Sequence, residues 1–272
     1  MPWAQNGSIR VQYAVSGEGP AMLMLHANPF DRRMWLYQMA AFSADYKVIA
    51  PDLRGYGCTT PVEEPYTVED LMDDLNAVLT KENVTEVLLV GASVGARLAL
   101  QFAITYPKRA SGLVLVGGNS GRSPRRLARI EGFRSSPQTY RLQYLKELVT
   151  FNFSKSQIGN HLLELFADPN RPLSPLALEA FFNACDGMDN THALSSMNKP
   201  VLVVNGAEDH LLPVGRYTAS LIPGAEHAII ASAGHACCLE QPVEFNSLMR
   251  KFLTNFGLVL GNSKHAPRKS PH

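Results

Sequence analysis

Apolar residues fall along this chain in two rhythms. Ile9, Val11, Tyr13 and Val15 alternate with polar or small neighbours, which is the period of a strand with one face in the core, and they predict an antiparallel strand at a sheet edge. Elsewhere apolar residues run without interruption, at Ala21 to Leu25, Tyr46 to Pro51, Val87 to Val90, Gly112 to Val116, Val201 to Val204 and His227 to Ala231. Such runs suit parallel strands covered on both faces. Helical stripes lie between them. Thr67-Val68-Glu69-Asp70 reads as a capping box with Asp in the Glu position, and Val68, Leu71, Met72, Leu75, Val78 and Leu79 follow on one face. Pro242 opens a second stripe through Phe245, Leu248, Met249, Phe252, Leu253 and Phe256. Strands alternating with helices predict an α/β fold, with helices on both faces of a mostly parallel, doubly wound sheet of about eight strands.

The alternation stops between Asn119 and Lys199, where no strand-like run occurs. Helix-compatible stretches around Pro124 to Arg134, Gln138 to Phe153, Lys155 to Phe166 and Leu176 to Cys185 fill the interval, the last opened by Ser174-Pro175. A helical cap inserted after the sixth strand is expected, covering the strand ends where open α/β sheets bind ligands. The resulting division is a core of residues 1–118 and 200–258, a cap of residues 119–199, and a basic tail of residues 259–272 whose composition predicts disorder. Arg122, Arg125, Arg126, Arg129 and Arg134 in the cap would either line a solvated helix face or steer an acidic substrate.

Composition narrows the partners. A formal net charge of +1 supplies no field for nucleic acid or an anionic membrane, so a small molecule is the expected partner. The opening residues lack a basic start and apolar core, and no run reaches the ~18 apolar residues of a membrane span, so a cytoplasmic location is expected. Cys58, Cys185, Cys237 and Cys238 have neither zinc-ligand nor C-x-x-C spacing. Reduced thiols are expected, with no metal and no cofactor.

The chemistry centres on Gly91-Ala92-Ser93-Val94-Gly95, a G-x-S-x-G pattern between a buried run and an Ala/Leu-rich helix. A turn this sharp strains the serine backbone and excludes side chains two residues to either side. It lifts the Ser93 hydroxyl above the sheet edge and aims the Val94 N–H where an oxyanion would form. A serine hydroxyl needs an imidazole to take its proton and a carboxylate to orient that imidazole. His235, in the small-residue loop Ser232-Ala233-Gly234-His235 after a strand, is the expected base. Asp209, at the end of the run through Asn205-Gly206-Ala207-Glu208-Asp209, is the expected acid, with Glu208 the alternative. His26, before Ser93 in the chain, is expected to make structural hydrogen bonds, and His210 and His227 read as surface or loop residues. The order Ser93, Asp209, His235 is that of a nucleophile elbow on an α/β-hydrolase sheet.

With these motifs, residues 5–258 resemble the α/β-hydrolase superfamily. Ala50-Pro51-Asp52-Leu53-Arg54-Gly55-Tyr56-Gly57 is similar to the stretch after its fourth strand, Gly234-His235 with Glu240-Gln241-Pro242 to its catalytic-histidine segment, and His26-Ala27-Asn28-Pro29 to its H-G-x-P oxyanion loop. The resemblance implies that Asn28 carries the second oxyanion N–H beside Val94. Ala27 departs from the pattern's glycine. Asn28 resembles haloalkane dehalogenases and epoxide hydrolases, but those relatives use an aspartate nucleophile, and Ser93 speaks against both chemistries. The expected function is therefore hydrolysis of a small-molecule carboxylic ester or lactone through an acyl-enzyme. Carbon–carbon hydrolysis of a ring-cleavage diketone acid by the same triad is the alternative, and a ligand receptor retaining the triad is the reading from another class.

Overall fold

The computed structural model describes residues 1–118, 120, 126–168, 170 and 173–258; the expectation for the tail, and for Arg122 and Arg125, lies outside the described residues, as does the side chain of Arg126. Among the described residues eight strands form one sheet: β1 (Trp3–Asn6), β2 (Ile9–Ser16), β3 (Ala21–Leu25), β4 (Lys47–Pro51), β5 (Val87–Ala92), β6 (Ala110–Val116), β7 (Val201–Gly206) and β8 (Glu226–Ile230). Their spatial order is β1-β2-β4-β3-β5-β6-β7-β8. The pairings from β4 through β8 are parallel, whereas β2 is antiparallel to both neighbours. β2 is thus antiparallel as its alternation implies, but it is not the edge. β1 covers its outer side, and a four-residue strand is too short for periodicity to reveal.

The uninterrupted runs are buried in β3 to β7, and in β5 every residue is buried. β8 is the far edge and is only partly covered. Core helices α1 (Leu36–Phe42), α2 (Val68–Lys81) and α3 (Val94–Thr105) precede the break in alternation. The Thr67 hydroxyl accepts from the Asp70 N–H while the Asp70 carboxylate accepts from the Thr67 N–H, completing the capping box at α2. The stripe on α2 also buries Asp74, which takes a two-pronged bond from the buried Arg54 at 2.7 and 2.8 Å.

Among the described residues five α-helices lie between β6 and β7: α4 (Arg126–Ser135), α5 (Pro137–Glu147), α6 (Phe151–Lys155), α7 (Gln157–Phe166) and α8 (Pro175–Asp186). The expected single helix over Gln138 to Phe153 is two, divided where the Thr150 hydroxyl caps α6 by accepting from the Phe153 N–H. The chain then returns to the core through α9 (Leu212–Leu221), α10 (Cys237–Glu240) and α11 (Pro242–Asn255). α2 packs on α3, and α1 packs on α11. Among the described residues no helix is long and apolar enough to cross a membrane.

The cap is pinned to the helix behind the elbow. Arg97 on α3, a buried cation, donates to the carbonyls of Cys185 at 3.2 Å and of Met188, while the Asn190 amide donates back to the Arg97 carbonyl at 3.0 Å. These bonds hold the end of the insertion over the carboxyl ends of the central strands.

Candidate active site

Ser93 sits between β5 and α3 with φ 55° and ψ −113°, one of the few non-glycine residues with positive φ. An L residue is held there only when its surroundings over-determine it. The flanking glycines supply that constraint. A Cβ on Gly91 would stand 2.3 Å from the Gly95 carbonyl oxygen, and one on Gly95 would stand 2.2 Å from that of Leu25. The spacing of G-x-S-x-G is therefore a packing requirement: turn against turn at 91, helix start against β3 at 95. The Ser93 N–H donates to the Val116 carbonyl at 2.8 Å, tying the elbow to the end of β6.

Asp209 and His235 meet. The His235 Nδ1 lies 2.9 Å from Asp209 Oδ1, and both residues are buried. Glu208 is exposed, as its neighbour turns inward, so the second carboxylate of that loop faces away. Burial opposes ionisation of Asp209, but the bonds from His235, the Leu211 N–H and the Asn205 amide outweigh it and hold the carboxyl below its ordinary range. An ionised Asp209 accepts from Nδ1–H and leaves Nε2 of His235 as the basic nitrogen.

Gly117, a residue that pattern reading passed over, joins the two halves. It follows Val116, has φ +57°, and a Cβ there would lie 2.6 Å from His235 Cε1 and 2.7 Å from its Nδ1. The imidazole thus rests on the bare backbone at the end of β6, beside the strand end that holds Ser93. Among the described residues the Ser93 hydroxyl makes no hydrogen bond. Such contacts commonly tighten only when substrate is bound.

The His235 loop is clamped to the cap. Glu240 is buried; its Oε1 accepts from the Gly234 N–H at 2.7 Å, and its Oε2 accepts from the Thr150 N–H and hydroxyl, both at 2.8 Å. The Ala236 N–H adds a bond to the Leu148 carbonyl at 2.9 Å. Burial raises the Glu240 carboxyl above its ordinary range despite these three donors.

Asn28 and Val94 are both buried. Among the described residues neither backbone N–H donates to a protein acceptor. Ala27, in the place of the usual glycine, has no positive φ, so its methyl costs the loop no backbone strain. His26 holds the loop from beneath: its Nε2 accepts from the Leu53 N–H and its Nδ1 donates to the Ala27 carbonyl, both at 3.0 Å. The Tyr56 hydroxyl donates to Asn28 Oδ1 at 2.9 Å, and the Tyr56 ring packs edge-on against His26 and against Phe181 of α8. From α5, Arg141 donates to the Pro29 carbonyl at 3.0 Å. These contacts tie the Asp52 to Gly57 stretch and the cap to the loop, and no local pattern announces them. Gly57 itself is needed because a Cβ there would fall 2.1 Å from Asp52 Oδ2.

Of the five cap arginines from Arg122 to Arg134, the two with described side chains are both engaged. Arg129 stacks 4.5 Å above the ring of buried Tyr144, and Arg134 pairs with Glu179 on the surface. Asp209, His210 and His235 present ligand atoms within 4.8 Å of one another; Asp209 Oδ1 is bonded to His235 Nδ1, and His210 Nδ1 lies 3.7 Å from the same oxygen.

A serine at a strained strand-to-helix bend, a buried histidine–carboxylate pair at the ends of later strands and a helical lid define a class: α/β enzymes built around a nucleophile elbow. The chain belongs to the alpha/beta hydrolase family, whose sequence profile matches residues 22–248. It is 26% identical over 257 residues to pyrrolizixenacetamide deacetylase of Xenorhabdus hominickii, covering 91% of this chain and 96% of that protein. It is 29% identical to the 2-hydroxy-6-oxononadienedioate/2-hydroxy-6-oxononatrienedioate hydrolase of Paraburkholderia phymatum, covering 90% and 91%. Among solved structures, a thermophilic esterase from Thermogutta terrifontis superposes with a TM-score of 0.83 at 25% identity, covering 93% of this chain and 97% of that one.

Proposed function

We propose that this chain is a serine hydrolase that cleaves a small-molecule carboxylic ester or lactone, with residues 1–118 and 200–258 as its core and residues 119–199 as its cap. The observation that carries this reading is the buried 2.9 Å bond from His235 Nδ1 to Asp209, which leaves Nε2 free to act as a base. Ser93 attacks the substrate carbonyl as its proton passes to His235 Nε2. The N–H groups of Val94 and Asn28 stabilise the oxyanion, each worth about 2.7–4 kcal/mol of barrier in comparable sites. His235 returns the proton to the leaving oxygen, forming the acyl-enzyme, and then activates water to release the acid. Neither metal nor cofactor is required for any of these steps.

The test is labelling by a fluorophosphonate probe with turnover of p-nitrophenyl acetate. Wild type is expected to take the label and turn over the ester, and Ser93→Ala to do neither. A Ser93→Ala protein with wild-type ester turnover would refute the assignment. The likeness to a hydrolase named for 2-hydroxy-6-oxo dienedioates supports a second reading, carbon–carbon bond hydrolysis by the same triad. Turnover of neutral esters against ring-cleavage acids discriminates the two.

A further inference from the structure

β7 and β8 run parallel, and their register sets Asn205 opposite Ile229 and Val203 opposite His227. Side chains two residues apart on a strand share a face, so Asn205 and His227 are diagonal neighbours on one side of the sheet. Asn205 is completely buried at the end of β7. Its Nδ2 donates to Asp209 Oδ2 at 2.8 Å, and its Oδ1 accepts from His227 Nε2 at 3.0 Å. An amide has one donor end and one acceptor end, and the ionised Asp209 accepts only, so the orientation of Asn205 follows from its two neighbours. Burial, with the Arg216 charge nearby, holds the His227 imidazole below its ordinary range, so near neutrality it carries one ring proton, on the nitrogen facing Asn205. Gly215 on α9 makes the room: a Cβ there would sit 2.1 Å from Asn205 Oδ1.

We propose that His227 and Asn205 form a positioning relay that fixes the Asp209 carboxylate for its bond to His235. His227 pins the acceptor end of Asn205, the donor end of Asn205 holds Asp209 Oδ2, and the Leu211 N–H, donating at 2.8 Å, holds Oδ1 on the side of His235. With Oδ2 anchored, rotation of the carboxylate away from His235 costs a buried hydrogen bond. Without His227 the amide is free to turn its oxygen toward Asp209, where two acceptors face each other. Neither residue touches the reacting atoms; both act through Asp209. The inference rests on the triad of Ser93, His235 and Asp209 proposed above, and it adds a device at the open edge of the sheet that reaches the triad in two hydrogen bonds.

The experiment uses the full chain with p-nitrophenyl acetate as substrate and a fluorophosphonate as label. Asn205→Leu, close in shape but without either polar end, is expected to lower kcat roughly 10–100-fold, by analogy with the loss when hydrogen-bond partners of metal-ligating side chains are removed. KM should stay within about twofold, since the acyl pocket is untouched. His227→Leu should lower kcat in the same direction, and His227→Gln, which restores an N–H donor, should recover most of the loss. The low-field proton resonance of His235 Nδ1–H should shift or broaden in both leucine variants and return in His227→Gln, a signature that loss of stability alone would not produce. If Asn205→Leu does not fold, the His227 pair carries the test. Leucine variants that keep wild-type kcat and an unmoved resonance, while Ser93→Ala is inactive and unlabelled, would overturn the relay and leave the triad standing. A wild type that takes no label would overturn the triad and the relay with it.

Discussion

Gly117→Ala gives a sharp prediction because its effects on stability and on activity separate. The new Cβ would lie 2.6 Å from His235 Cε1, whereas carbon atoms in contact settle at about 3.5–4.0 Å, so the ring must retreat by about 1 Å. The ring has nowhere to go without stretching its 2.9 Å bond to Asp209, and its loop is held by the Glu240 and Leu148 bonds. A displacement of about 1 Å can cost about 100-fold in rate. The φ of +57° adds strain of roughly 1–2 kcal/mol for any L residue. At roughly 2–4 °C per kcal/mol for a chain near this size, Tm should fall by about 2–8 °C. Gly7→Ala is the control, because Gly7 has the same φ of +57° but a Cβ there meets nothing within 4 Å. It should show only the fall in Tm that the φ strain produces, with unchanged kcat/KM. The assay is steady-state turnover of p-nitrophenyl acetate beside thermal melts. Gly117→Ala with kcat/KM within twofold of wild type would refute the placement of His235 against this glycine.

Acid stability offers another test. Asp209 is held below its ordinary range, so its stabilising contribution is present above the unfolded value near 3.9 and is lost as pH falls through the lower folded value. Urea unfolding should therefore show wild type losing more stability than Asp209→Asn between about pH 5 and pH 3, and equal slopes would contradict the depressed value. Thiol titration gives a further check: Cys58 is exposed, whereas Cys185 is buried and pushed up to about 12, and burial likewise raises Cys237 and Cys238. An aromatic disulfide reagent should modify one thiol in the native protein and four after unfolding.

Glu240 shows how the cap and the His235 loop depend on each other. Its carboxylate gathers donors from Gly234, one residue before His235, and from Thr150, where α6 begins. The two partners are 84 residues apart, and the insertion bearing one of them also sends Arg141 to the Asn28-Pro29 loop. The cap therefore does more than cover the strand ends. It holds the His235 loop on one side and the Asn28-Pro29 loop on the other.

Much of this was legible in the chain because the signals are local. Unbroken apolar runs specify strands buried on both faces, a 3.6-residue stripe specifies a helix with one buried face, and the closeness of Gly91 and Gly95 to Ser93 fixes the bend without reference to anything distant. The order of Ser93, Asp209 and His235 on later strand ends then follows from a parallel sheet. What tertiary structure alone decided are contacts between side chains far apart in sequence. Gly117 carries no pattern; only packing against His235 gives it a role. His227 reads as a surface residue, because on an edge strand its exposure is ordinary, and only the register of β7 on β8 turns it toward Asn205. Tyr56 meets Asn28 across 28 residues, and Arg141 reaches Pro29 across 112. Periodicity states which face of an element is buried, but not which atom on another element it will meet there.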